Sequence, residues 1–192
     1  MKAPFVVLEG LDGVGKSTLT SRLAERLGGA ALDTPGMSSP LRAQVLDTLG
    51  LHQASRCLFY AATVVSVGAR ARHLADTGHP AVVDRYWLST RAYARARGVA
   101  APLGDVEAMV PAPDQTILLL LDEGERQRRL GRRGTTTADR ETLNDGFRQV
   151  VLDDFRRPGV LAPTAELDLT GLDVEEAVTC LEATVRNSRA AG

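Results

Sequence analysis

Gly10-Leu11-Asp12-Gly13-Val14-Gly15-Lys16-Ser17 is the stretch whose reading decides the fold. It fits the pattern G-x-x-x-x-G-K-[ST] without a mismatch. Immediately before it runs Phe5-Val6-Val7-Leu8, a short apolar segment of strand length. Immediately after it, Leu19, Leu23 and Leu27 recur at helical spacing until Gly28-Gly29 stops them. A glycine-rich loop between a buried strand and a helix turns its backbone N–H groups inward and forms an anion nest. Gly10, Gly13 and Gly15 permit the required dihedrals, with Val14 between them, and the helix adds its positive N-terminal end. Lys16 supplies a compact charge for the β- and γ-phosphates of a nucleotide. Ser17, backed by Thr18, supplies a hydroxyl for Mg²⁺. Lysine is otherwise almost absent: only Lys2 and Lys16 occur among 23 basic residues, so Lys16 does something arginine cannot. The loop therefore predicts ATP with Mg²⁺.

Outward from the loop, short apolar runs alternate with helical patterns. Strands are expected at Ala30–Leu32, Ala81–Val83, Thr116–Leu121 and Leu167–Leu169. Helices are expected at Leu41–Leu49, Gln53–Ala75, Glu123–Arg132, Asp139–Arg156 and Val174–Val185, with a further helix ending in Arg91–Ala101 near Gly98. Alternation of this kind gives a parallel sheet covered on both faces, with ligands at the carboxyl ends of the strands. Glu9, Asp84 and Asp122 stand at those ends. The expected fold is α/β, a three-layer α/β/α sandwich on a five-stranded parallel sheet, one domain over 1–192.

Composition narrows the partners. With 23 basic and 24 acidic residues the chain lacks the basic excess of a duplex nucleic-acid binder, and 4% aromatics offer few stacking platforms for single strands. No apolar run reaches the ~18 residues a membrane span needs, and no signal segment opens the chain. Cys57 and Cys180 form no paired motif and read as buried free thiols, and His52, His73 and His79 show no metal-ligand spacing. These features predict a cytoplasmic protein with neither nucleic acid nor membrane as partner.

Several segments together resemble the thymidylate kinases: FVVLEGLDGVGKST at Phe5–Thr18, CLFYAA at Cys57–Ala62, VVDRYWLSTRAYA at Val82–Ala94, RRLGRRG at Arg128–Gly134 with Asp139-Arg140-Glu141, and the closing Leu167–Val178. The resemblance implies phosphoryl transfer from ATP to a nucleoside monophosphate, dTMP or a related pyrimidine nucleotide, and a homodimer. Residue by residue, it implies Asp12 near the acceptor sugar, Phe59 stacked on the base, Arg85 on the acceptor phosphate and Asp84 near the metal. It also implies Tyr93 against the sugar, Ser89 or Thr90 near the base, and Arg129, Arg133 and Arg140 in a lid over ATP, at about 126–145. Gly13 stands where some members carry an arginine, which shifts the catalytic arginine to the lid; Arg126 and Arg128 read instead as a solvated basic face.

Two positions depart from the family. Thr63 stands where the family places an arginine on the thymine carbonyl, and Asp33-Thr34-Pro35-Gly36 replaces Arg-Glu-Pro-Gly. Trp87 adds bulk beside them, and Arg42 or Arg91 could substitute for the missing arginine. These departures keep alternatives open: a kinase for a different small-molecule acceptor, either a nucleoside hydroxyl with Asp12 or Asp84 as base or a phosphate from a specialised pathway, and a nucleotide-binding module without catalysis.

Overall fold

In the computed structural model, residues 2–34, 40–100, 103–159 and 161–190 are described. Strand β1 (Phe5–Gly10) is buried along its whole length. It pairs in parallel with β3 (Ala81–Asp84) on one side and β4 (Gln115–Leu120) on the other. Strands β2 (Ala30–Asp33) and β5 (Ala165–Asp168) form the edges, giving the order β2-β3-β1-β4-β5. The period of two in β1 divides the core: Val6 and Leu8 face one hydrophobic cluster, Phe5 and Val7 the other. The first cluster is filled by Leu19 and Leu23 of α1 (Lys16–Leu27), Val151 and Phe155 of α8 (Asp145–Phe155), and Val178 and Leu181 of α9 (Val174–Ala190). The second is filled by Val64 and Ala71 of α3 (Gln53–Asp76) and by Tyr86 and Trp87 at the start of α4 (Trp87–Ala96). The sheet and its two helical faces are the three layers expected.

Differences from the expected elements have local causes. The expected helix Asp139–Arg156 is two helices, α7 (Thr137–Leu143) and α8. Asn144 leaves helical dihedrals and its Oδ1 accepts the N–H of Phe147, so it ends one helix and caps the next. A short helix, α5 (Leu103–Glu107), fills the span before β4, while α2 (Pro40–Thr48) and α6 (Glu123–Arg133) lie as expected. Asp122 is the N-cap of α6, accepting from Glu125 N at 2.9 Å, which assigns that strand-end carboxylate a structural role. His52 caps α3 through its Nδ1 in the same way. Trp87 lies wholly in the second cluster, away from any ligand wall. Cys57 is buried, but Cys180 is only partly so. Pro35 and Gly36, in the segment after β2, lie outside the described residues.

Helix α3 reaches the sheet at Gly68. A Cβ there would sit 1.8 Å from the Tyr86 hydroxyl oxygen, whose hydrogen donates to Pro111 O at 2.8 Å. Gly68→Ala should therefore cost about 1–3 kcal/mol of stability by overpacking, against the slight gain that Gly→Ala gives in an open helix. A urea midpoint equal to or above that of the unsubstituted protein would contradict this packing.

Candidate active site

The loop after β1 wraps the start of α1. Lys16 is buried, and its Nζ donates to Leu11 O at 2.6 Å. Burial first, and the nearby Arg85 charge second, push the Lys16 ammonium down to about 8, while Asp12, Asp84 and Glu9 act in the opposite sense. A cavity of about 520 Å³ opens over this loop, lined by Asp12 through Thr18, by Arg129 and Arg133 from α6, and by Leu169, Leu172 and Val174 near α9. Its cationic, glycine-lined end and apolar end match a triphosphate and a base.

The turn after β3 carries three functions in three residues. Asp84 points to the loop: its Oδ2 accepts from Ser17 Oγ at 2.5 Å, and its Oδ1 is buried without a partner. Arg85 points the other way, with an ion pair to Asp12, a bond from NH1 to Ser89 Oγ at 3.2 Å, and its guanidinium 5.7 Å from the Tyr93 ring centre. Arg85 has φ 65°, and among the described residues it is the one non-glycine with positive φ. A bulky side chain is strained there, and such strain persists where its surroundings enforce it. Here the enforcing group is Glu9, whose carboxylate accepts Tyr86 N at 2.9 Å, Ser89 N at 3.1 Å and Ser89 Oγ at 2.5 Å. Glu9 is fully buried; burial pushes its carboxyl up, against the hydrogen bonds of Ser89 and the charge of Arg85.

A second cavity, about 130 Å³, lies between α3 and α4. Its wall includes Thr34, Arg42, Tyr60, Ser89, Thr90, Tyr93 and Arg97. Asp12 and Arg85 line both cavities. Asp12 is held at both carboxylate oxygens, by Arg85 and by the Tyr93 hydroxyl at 2.9 Å. Burial works against its charge, but Arg85 and Lys16 hold it well below the usual carboxylate range.

The structure thus brings together Asp12, Gly13, Val14, Gly15, Lys16, Ser17, Thr18, Asp84, Arg85, Arg129 and Arg133 around the larger cavity, with Gly10 behind them at the end of β1. It sets Arg85, Ser89, Thr90 and Tyr93 on the smaller one. Three expected residues fall elsewhere. Phe59 and Thr63 do not line the smaller cavity; Gln53, Cys57 and Tyr60 form the facing stripe of α3 at i, i+4 and i+7, and Phe59 lies one residue, about 100°, around it. Thr63 turns its hydroxyl to Tyr60 O at 2.7 Å. Arg140 is exposed on α7, off the wall of the larger cavity, because its neighbour Asp139 takes the inward position in a capping box with Thr136. Arg91 is no substitute for a lost arginine, since Asp154 holds it through Nε and NH2 at 2.7 Å each. Arg42 does stand on the smaller cavity, with its Nε unpartnered.

Sequence reasoning missed four residues. Glu9 is the cap of α4 described above. Arg97, on the cavity wall, stacks over Tyr93 and pairs with Glu141 of α7 through two bonds, at 3.0 and 2.5 Å. Tyr60 takes the place expected for Phe59. Arg126, expected in a solvated face, is completely buried. Its position four residues before the buried Leu130 was the available signal, since i and i+4 share a helix face.

Comparison with known proteins agrees with this geometry. The family model described as thymidylate kinase matches residues 8–161. A thymidylate kinase of Rhizorhabdus wittichii is 34% identical over 185 residues, covering 85% of this chain and 86% of that protein. A probable thymidylate kinase of Pyrococcus horikoshii is 33% identical over 152 residues, 71% of this chain and 74% of that one. The solved thymidylate kinase of Candida albicans superposes with a TM-score of 0.76 at 20% identity, covering 98% of this chain and 93% of the other, a likeness of fold.

The Lys16 environment fixes a pH response. Phosphate binding favours the ammonium form, which the free protein loses above about pH 8. ATP affinity should be flat from pH 6.5 to 7.5 and fall by up to about tenfold per pH unit above 8, until the higher pKa of the bound state is reached. Titration calorimetry across pH 6.5–10 reads this, and Lys16→Met should bind weakly and lose the slope.

Proposed function

The chain belongs to the thymidylate kinase family, and from that membership we propose that it transfers the γ-phosphoryl of ATP to the phosphate of dTMP, giving dTDP and ADP. The observation that carries this reading is the shared wall of the two cavities, where Arg85 and Asp12 face both. A donor triphosphate over the loop and an acceptor phosphate at Arg85 meet there. One phosphorus–oxygen bond, to the β–γ bridging oxygen, breaks as another forms to an oxygen of the acceptor phosphate. The acceptor phosphate is already anionic, so no base is required, and catalysis reduces to alignment and charge neutralisation.

Each residue then has a task. Lys16 and the loop N–H groups hold the β- and γ-phosphates. Arg129 and Arg133, on the cavity wall from α6, neutralise the transferring group. Arg85 grips the acceptor phosphate, with the Thr34 hydroxyl, buried and unpartnered, and Arg42 beside it. Tyr93 and Asp12 bound the sugar, and Tyr60 offers the base an aromatic face. Arg42 answers the loss of the family arginine at Asp33. The segment 126–145 acts as the lid within one kinase domain.

Mg²⁺ suits the donor site. The partnerless Asp84 Oδ1 and the Ser17 hydroxyl are the oxygen ligands available, and a small hard cation takes its remaining oxygens from phosphate and water. Bound there it neutralises phosphate charge. Among the described residues no group of three or more His, Cys, Asp or Glu is disposed to hold a metal ion by protein ligands alone.

A hydroxyl acceptor is disfavoured by the state of Asp12. A carboxylate tied to Arg85 and Tyr93 and held below its usual range is a poor general base. The lid arginines on the donor cavity favour transfer over mere binding. No helix among the described residues is long and apolar enough to cross a membrane, and we expect a cytoplasmic homodimer without nucleic acid.

ADP release should be fast with dTMP and dUMP and near background with AMP, GMP and the free nucleosides. Turnover confined to a nucleoside, or ATP hydrolysis indifferent to every acceptor, would refute the reading. Arg85→Met should lower kcat with dTMP by about 10²–10³-fold while ATP affinity changes little; an unaltered kcat would remove Arg85 from the acceptor phosphate.

A further inference from the structure

Arg126 is the largest charged side chain completely buried in the protein, and nothing above gives it a task. A guanidinium has five N–H donors, and here all five are used. Nε donates to Glu123 Oε2 at 2.7 Å and NH2 to Glu123 Oε1 at 2.8 Å, a two-point pair within α6. NH1 donates to Thr142 Oγ1 at 3.1 Å and NH2 to Thr142 O at 2.9 Å, both in α7. The last hydrogen of NH1 goes to the main-chain carbonyl of Asp12, in the phosphate loop, at 2.9 Å. No donor is left for a phosphate.

The Asp12 carbonyl matters for what lies across its peptide bond. A trans peptide is planar with its C=O and N–H antiparallel. Drawing the Asp12 oxygen toward α6 turns the Gly13 N–H to the opposite side, and Gly13 lines the ATP cavity. A charged donor on the oxygen also polarises the peptide and strengthens its N–H. The fit is tight: a Cβ on Gly13 would lie 3.1 Å from Arg126 Cγ and 2.9 Å from Leu130 Cγ. Gly13 is thus the surface on which the Arg126 stem packs.

The other end of Asp12 closes a circuit. Its carboxylate takes the Tyr93 hydroxyl, Tyr93 carries the stacked Arg97, Arg97 pairs with Glu141, and Glu141 neighbours Thr142, which Arg126 holds. Both ends of Asp12 are fixed through α7.

We propose that Arg126 is a positioning residue for phosphoryl transfer: it orients the Asp12–Gly13 peptide toward the ATP phosphates and ties that peptide to the lid. The proposal rests on the kinase reading given above.

The test is steady-state kinetics with ATP and dTMP on Arg126→Met, Arg126→Lys and Glu123→Gln, with thermal midpoints alongside. Arg126→Met should lose about 30-fold or more in kcat with both KM values within about threefold, because an aimed N–H counts most in the transition state. Arg126→Lys, whose ammonium still reaches the Asp12 carbonyl, should recover about tenfold of that loss. Glu123→Gln, at a partly exposed site, should fold and lower kcat about threefold by loosening the guanidinium. If Arg126→Met fails to fold, the other two decide. A kcat within twofold of the unsubstituted protein in every folded variant, with only a lower midpoint, makes Arg126 a structural strut and overturns the proposal. Absence of dTMP turnover by the unsubstituted protein refutes the kinase reading instead; the same comparison is then made on ATP hydrolysis without acceptor, where equal rates overturn the proposal.

Discussion

The carboxylate of Glu9, buried at the carboxyl end of the central strand, is the interaction on which the site depends. A buried charge without partners would cost several kcal/mol, and this one is satisfied by the first turn of α4. One group therefore joins β1, and the phosphate loop that grows from it, to the turn after β3. Because Tyr86 and Ser89 must present their N–H groups to Glu9, the chain has no freedom at Arg85. The left-handed conformation there follows, and with it the opposed directions of Asp84 toward the metal ligands and Arg85 toward the acceptor. The donor and acceptor halves are held in register by a carboxylate that touches neither substrate.

The donor half was legible in sequence because its chemistry is local. Phosphate binding needs consecutive N–H groups, and eight consecutive residues supply them. The parallel sheet was equally legible, since strands buried on both faces read as continuous apolar runs and Phe5–Leu8 and Thr116–Leu121 do so. The acceptor half is assembled from residues far apart in the chain, and each error there traces to geometry that a motif does not carry. Phe59 and Tyr60 are adjacent in sequence, and only the rotation of α3 decides which faces α4. Arg42, Arg91 and Arg97 are interchangeable as letters; Asp154 takes Arg91, Glu141 takes Arg97, and Arg42 alone keeps an unpartnered Nε. The single predicted helix over Asp139–Arg156 failed for a related reason: Asn144 caps a new helix, and its signal is weak beside the strong helical periodicity around it.

Charge in the lid sorts by burial rather than by number. Arg126, Arg129, Arg133 and Arg140 lie within fifteen residues of one another. Arg126 is locked in the interior, Arg129 and Arg133 share themselves between local carboxylates and the donor cavity, and Arg140 faces solvent. Glu125 and Asp139 keep the two middle arginines folded back while no phosphate competes for them, so the cavity presents its positive charge partly neutralised. An incoming triphosphate exchanges those carboxylates for its own oxygens, and part of its binding energy goes to that exchange.

The φ of 65° at Arg85 also makes this position a gauge of selection. Glycine adopts that conformation without strain, so a protein selected for folding alone would settle on glycine there. Arginine persists because its charge is worth more to the reaction than its backbone costs the fold. Laboratory evolution for heat resistance, run without an activity screen, would drift toward the unstrained residue and leave a sturdier protein whose two cavities no longer share a cation.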